Sequence, residues 1–169
     1  CDLLKEHALM KEINTGSTAF IYEDINELSD VDKSLMKVAI EATKTSYAPY
    51  SGFNVGAALL MEDGSIIIGN NQENAAYPSG MCAERVAIWK AGSSFPNKKV
   101  KKIAITAVSS NKQLDKPVGP CGACRQTLLE YEINQKEDVE VFFMGEIGNV
   151  VKTSSIASLL PFSFDSSYL

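Results

Sequence analysis

Only five residues, Gly145-Glu146-Ile147-Gly148-Asn149, separate two strand-like runs, Val139 to Met144 and Val150 to Thr153. A crossover between parallel strands needs about a dozen residues or more, so two strands this close in one sheet must form an antiparallel hairpin. Upstream, helical and strand-like patterns alternate. Ser29 caps a helix whose apolar face is Val31, Leu35, Val38 and Ala42, with Asp32 completing a near capping box. Phe53 to Met61 and Ile66 to Gly69 read as strands joined by an Asp63-Gly64 turn. Helices follow at Cys82 to Ala91 and from Cys121 through Tyr131, with the strand Ile103 to Val108 between them. A last short helix, Ile156 to Leu160, is stopped by Pro161. This alternation predicts an α/β fold: a three-layer α/β/α sandwich around a five-stranded mixed sheet, mainly parallel, whose last two strands are the hairpin.

At 169 residues and 45% hydrophobic, the chain suits one compact domain, placed here at residues 29–169. Residues 1–28 read as an N-terminal extension carrying an apolar patch, Ala19-Phe20-Ile21-Tyr22, with residues 1–9 a leader or an expression remnant ahead of a start at Met10. Sixteen basic against twenty-one acidic side chains argue against a phosphate-backbone partner. The basic run Lys98-Lys99-Val100-Lys101-Lys102 reads as a charged strand start that discourages edge pairing, not as a nucleic-acid patch. No apolar run reaches the length of a membrane span, and the first residues have no signal-peptide core, so the expected location is cytoplasmic.

Four cysteines in such a chain are better metal ligands or nucleophiles than disulfide partners. The only histidine is His7, so a metal site in the domain must be built from sulfur and carboxylate. Cys121 and Cys124, three apart at a helix start, place their sulfurs on one side of its first turn. Cys82, thirty-nine residues before Cys121, begins another helix. Helix N-termini favour the thiolate, and three thiolates at two helix ends make a soft trap for zinc. Cys1 as a fourth ligand would close the site. Three protein ligands and an open position would instead suit a catalytic zinc, which must bind water. Glu84, two residues after Cys82, is either a first-turn acid facing the helix dipole or a group that reaches the reacting water without ligating the metal. Three thiolates on a divalent ion leave a net negative charge. Arg85, if it is not simply solvent-facing, is the candidate to offset it by donating to Cys82 and Cys121.

Together, Cys82-Ala83-Glu84-Arg85 and Pro120-Cys121-Gly122-Ala123-Cys124 resemble the signature of zinc deaminases. From about Ser29 to Phe164 the chain resembles the cytidine deaminase family, with Cys82 where other deaminases carry histidine. The resemblance implies one zinc per chain and hydrolysis of cytidine or deoxycytidine to uridine or deoxyuridine plus ammonia, as in pyrimidine salvage. Glu84 would take the water proton, deliver it to N3 and protonate the departing ammonia, while backbone groups near Ala83 and Cys121 steady the tetrahedral intermediate. Ser51-Gly52-Phe53-Asn54-Val55-Gly56-Ala57-Ala58 looks like the first strand of the free-nucleoside members, which implies that Phe53 lies beside the pyrimidine; an ordinary core phenylalanine is the alternative. Gly69-Asn70-Asn71-Gln72-Glu73-Asn74-Ala75 is similar to their ribose-binding segment, which implies that Asn71 and Glu73 hold the sugar hydroxyls. Phe164, three residues after Pro161, matches an aromatic that covers a neighbouring subunit's pyrimidine, implying a homo-oligomer, a tetramer. The chain departs from the family in Tyr77-Pro78-Ser79-Gly80-Met81, which stands in place of a commoner variant with an extra cysteine. A deaminase of a nucleoside analogue or antibiotic, and a catalytically silent zinc-binding relative, are the competing readings.

Overall fold

The computed structural model describes residues 12–169. Its main elements are β1 (Ala19–Tyr22), α1 (Asp30–Thr43), β2 (Phe53–Met61), β3 (Ile66–Asn70), α2 (Ala83–Ser94), β4 (Val100–Ser109), α3 (Gly122–Gln135), β5 (Glu140–Met144) and β6 (Val150–Thr153). The strands form one sheet in the order β1-β6-β5-β4-β2-β3. The expectations concerning Cys1, His7 and residues 1–9 lie outside the described residues.

The antiparallel β5–β6 hairpin is present, with Met144 opposite Val150. Two expectations about the sheet fail. It has six strands, not five, because the apolar patch Ala19–Tyr22 is an edge strand, antiparallel to β6 from Ala19↔Thr153 to Tyr22↔Val150. Phe20 and Ile21 stay exposed there, so the strand is held by backbone pairing and has no burial pattern to read. Nor is the sheet mainly parallel: among the described residues only β4 and β5 pair that way. The helix α2 does connect two strands of the same direction, but β2 lies between β3 and β4 and runs against both. Alternation of helix and strand reports the direction of successive strands, not which of them are neighbours.

Each face of the sheet buries its own cluster. On one side α1 packs Leu35, Met36 and Ala39 against Ala58, Ala104 and Phe142. On the other, Ala83, Ala87 and Ile88 of α2 and Leu128 and Leu129 of α3 pack against Ala57, Leu59, Ile103, Ile105 and Val141. The switch between neighbours such as Ala57 and Ala58 is the two-residue period of a strand buried on both faces. The Ser29 cap forms as expected: its hydroxyl accepts from Asp32 N at 3.2 Å and donates to Asp32 Oδ2 at 2.7 Å. The buried face of α1 is turned from the expected one. Met36 and Ala39 join Leu35 and Ala42, while Val31 is exposed, because the helix approaches β2 so closely that its small residues face the sheet. A Cβ on Gly56 would lie 2.0 Å from Ala39 O. Likewise a Cβ on Gly69 would lie 2.4 Å from Ala83 O, so that glycine lets the first turn of α2 sit directly on β3.

Behind α3, the carboxylate of Glu132 is 5% exposed and accepts three backbone N–H groups: Val139 at 2.9 Å, Ile156 at 2.7 Å and Ala157 at 2.9 Å. It thereby joins the start of β5 to the C-terminal segment. The expected helix Ile156–Leu160 is a single 3-10 turn, Ala157–Leu159, because Glu132 holds its first amides and Pro161 bars its extension. Glu132→Ala strands three buried donors, and a loss of about 3–5 kcal/mol is expected in the free energy of unfolding. Urea titration against Glu132→Gln, which keeps the shape and one acceptor oxygen, measures it. A loss under 1 kcal/mol would show that water replaces the carboxylate.

Candidate active site

Cys82 and Cys121 are the N-cap residues of α2 and α3, both in extended backbone conformation, and neither sulfur makes a capping hydrogen bond. Both sulfurs therefore stand at the positive ends of their helices without being spent on the caps. Cys124 lies one turn into α3 and is fully buried. The loop before Cys121 is fixed by Arg125, which donates to Pro120 O at 2.8 Å and to Leu159 O at 2.9 Å. The three sulfurs lie within 4.8 Å of one another, with Cys121 and Cys124 3.5 Å apart. Sulfurs bound tetrahedrally to one zinc at about 2.3 Å would be about 3.8 Å apart, so this donor set fits that ion in both spacing and chemistry.

Within the triad, electrostatics favour the thiolate at Cys82. The Cys124 thiol, and then the Arg85 guanidinium, hold Cys82 well below the usual thiol range, while Cys124, as donor to Cys82, is pushed up. Arg85 Nη2 lies 3.4 Å from Cys82 Sγ, and the guanidinium lies 6.0 Å from the centre of the Trp89 ring. Arg85 is half-buried and turned toward the sulfurs, though it has no hydrogen bond to Cys121. Its Nε is buried without a partner.

Glu84 is 5% exposed in the first turn of α2. Burial raises its carboxyl above the ordinary range, and the charge on Cys82 adds to the effect. A first-turn acid that only met the helix dipole would sit in solvent; this one lines a cavity of about 660 Å³. Cys82, Cys121, Arg85, Phe53, Asn71 and Glu73 share that lining.

Asn71 continues the β2–β3 ladder with its side chain, accepting from Val55 N at 2.7 Å and donating to Phe53 O at 2.8 Å. Glu73 Oε2 accepts from Tyr50 N at 2.9 Å and Ser51 N at 3.2 Å, and Oε1 accepts the Ser51 hydroxyl. That hydroxyl first, with the two amides, depresses the Glu73 carboxyl below the usual range. Phe53 is half-buried at the start of β2. Ala83 is fully buried beneath the site and does not line the cavity. Phe164 is 58% exposed, off the cavity, stacked on Tyr168 at 5.5 Å, with its carbonyl accepting from Gln126 Nε2 at 2.9 Å. Sequence reasoning missed Tyr50, Ser51, Gln72 and Tyr77, which also line the cavity. Two of them had a local signal: Gln72 stands between Asn71 and Glu73, and Ser51 is two residues before Phe53.

Residues 29–137 match the family described as the cytidine and deoxycytidylate deaminase zinc-binding region. Among relatives of the chain, the cytidine deaminase of Halalkalibacterium halodurans is 42% identical over 130 residues, covering 77% of this chain and 91% of that protein. That of Sporosarcina psychrophila is 41% identical over 135 residues, 80% and 91% of the two chains. The crystal structure of cytidine deaminase from Burkholderia pseudomallei superposes with a TM-score of 0.66 at 37% identity, covering 78% of this chain and 97% of that one.

Proposed function

The chain belongs to the cytidine and deoxycytidylate deaminase family, and on that premise we propose how its residues carry out the hydrolytic deamination of a free pyrimidine nucleoside. It is a zinc-dependent cytidine deaminase, with a general role in pyrimidine salvage. The observation that carries the detailed reading is that a cluster of three sulfurs, two of them lining a cavity, stands beside a buried carboxylate in the same lining, which also holds a second carboxylate fixed by hydrogen bonds.

Cys82, Cys121 and Cys124 would hold the zinc, which when bound supplies a Lewis acid that makes water nucleophilic near neutral pH. Glu84 takes a proton from the attacking water and places it on pyrimidine N3; it then takes the proton of the new C4 hydroxyl and passes it to the amino group, which leaves as ammonia as the C4–N bond breaks and C4=O forms. A carboxyl whose pKa is raised by burial suits a group that must both accept and return a proton. Arg85 offsets the thiolate charge at Cys82. Phe53 flanks the base, Asn71 and Glu73 take the sugar hydroxyls, and backbone groups near Ala83 and Cys121 face the developing charge at C4. Arg85 is the one cation lining the cavity among the described residues, and it is already engaged by Cys82, so a 5′-phosphate has no free partner. This supports a nucleoside over a nucleotide or a nucleic acid. Ultraviolet assay against cytidine, deoxycytidine, deoxycytidine monophosphate and adenosine tests it. Turnover confined to the first two is the expected result, and preference for the monophosphate would overturn it.

The reading extends to the assembly. Residues 29–169, with β1 added to the edge of their sheet, form the catalytic domain as a three-layer α/β/α unit working in the cytoplasm; helices packed on both faces of the sheet support the layering. No described helix is long and apolar enough to cross a membrane. Phe162, Phe164 and Tyr168 are 80%, 58% and 70% exposed on a single chain, and a homotetramer would bury them. Phe164 would then cover a neighbour's pyrimidine, a contact worth on the order of 1 kcal/mol. Removing residues 162–169 is expected to raise KM about fivefold or to dissociate the oligomer in sedimentation. A truncated chain that is monomeric with unchanged kinetics, like its parent, would refute this.

A further inference from the structure

The hydroxyl of Ser51 bonds two partners from the candidate site. It accepts the backbone N–H of Phe53 at 3.0 Å and donates its only proton to Glu73 Oε1. A serine hydroxyl has a single donor, so the Phe53 amide, by occupying a lone pair, turns that donor toward Glu73. The other carboxylate oxygen is held by the backbone amides of Tyr50 and Ser51. Three donors from two adjacent residues therefore fix the plane of the Glu73 carboxylate, and one lone pair, on Oε1, is left to the cavity it lines.

The segment supplying those donors is itself rigid. Gly52 adopts a φ of 62°, where a Cβ would meet Ser110 Oγ at 2.1 Å. Its N–H donates to Ala48 O at 3.0 Å, and its carbonyl accepts from Ser110 N at 2.9 Å. Asn111 Nδ2 closes on Ser51 O at 3.2 Å. A carboxylate on a cavity rim would otherwise sample several rotamers, and each hydrogen bond to substrate would have to pay for ordering it.

We propose that Ser51 is a positioning residue for substrate recognition: through its hydroxyl it preorganises Glu73 to accept a ring hydroxyl of the sugar. It touches neither the base nor the reacting atoms, so its effect falls on binding of hydroxylated sugars and not on the chemical step. The proposal rests on the reading of Glu73 as the sugar-binding carboxylate.

The test compares Ser51→Ala, Ser51→Thr and Glu73→Gln as zinc-loaded enzymes. It measures kcat and KM for cytidine and the competitive inhibition constant of 2′,3′-dideoxycytidine, which has no ring hydroxyl. Ser51→Ala is expected to raise KM for cytidine roughly tenfold, with kcat within about twofold of the parent, as for loss of a hydrogen bond to a charged group. Its affinity for the dideoxynucleoside should not move, and Ser51→Thr, which keeps the hydroxyl, should restore KM. Equal losses for both ligands, no loss for either, or no rescue by threonine would overturn the proposal. If Glu73→Gln fails to weaken cytidine selectively over the dideoxynucleoside, the sugar-binding reading fails instead, and the two failures are distinguishable.

Discussion

Glu84→Gln is expected to give a folded protein that keeps one zinc per chain and loses turnover by about three orders of magnitude or more. A single positioned acid or base contributes about 10²–10⁴-fold, and Glu84 is assigned more than one proton transfer in each cycle. Glutamine has the same shape and leaves the three sulfurs untouched, so metal content should not follow activity down. The competing role is that of an acid meeting the dipole of α2, worth about 0.3–1 kcal/mol of stability and nothing in the chemistry. Position separates the two: Glu84 is 5% exposed, and burial raises its pKa where a dipole contact in solvent would not. A buried carboxylate costs stability, so glutamine there should leave the melting temperature level or raise it. Initial rates on cytidine, elemental analysis and a thermal melt decide the matter together. Turnover within tenfold of the parent would remove Glu84 from the mechanism.

What could be read from the chain divides by the range of the interaction. The Ser29 cap, the Asp63-Gly64 turn and the β5–β6 hairpin are fixed by residues within a few positions of each other, and all three form as expected. The sulfur cluster was legible for a related reason. Cys82 and Cys121 each open a helix, Cys124 follows one turn on, and ligand chemistry supplied the missing distance between the two segments. Where partners lie far apart and no chemistry demands their meeting, the sequence is mute. Ala19–Tyr22 pairs with a strand some 130 positions away, and its exposed side chains leave no periodic signal. The position of β2 between β3 and β4 depends on which edge of a hairpin the returning crossover meets, and composition does not record that choice. Glu132 reads as a helical surface acid until β5 and the C-terminal turn close over it. Ser51 and Glu73 lie 22 residues apart, and neither residue alone implies the other.

The metal itself gives the second large effect. Cys124→Ser is expected to abolish stoichiometric zinc after dialysis against a chelator, and activity with it. Cys124 is the fully buried member of the triad and supplies one of its three sulfurs. Serine replaces a soft thiolate donor by a hydroxyl that stays protonated at neutral pH. Tight zinc sites in small domains bind with about 10–16 kcal/mol; divided among four donors this is about 3 kcal/mol each, more than a hundredfold in affinity. The fold should survive, because Ala83, Ile88, Leu128 and Leu129 still pack α2 and α3 on the sheet without the ion. Circular dichroism should therefore stay native while the zinc content falls. Deleting residues 1–9, and Cys1 with them, should leave one zinc per chain, because three sulfurs and an open position make the site complete for catalysis. Loss of zinc on that deletion would mean a closed, four-sulfur structural site, in which no coordination position is left for water. Zinc retained by Cys124→Ser would mean that a donor outside the triad holds the ion.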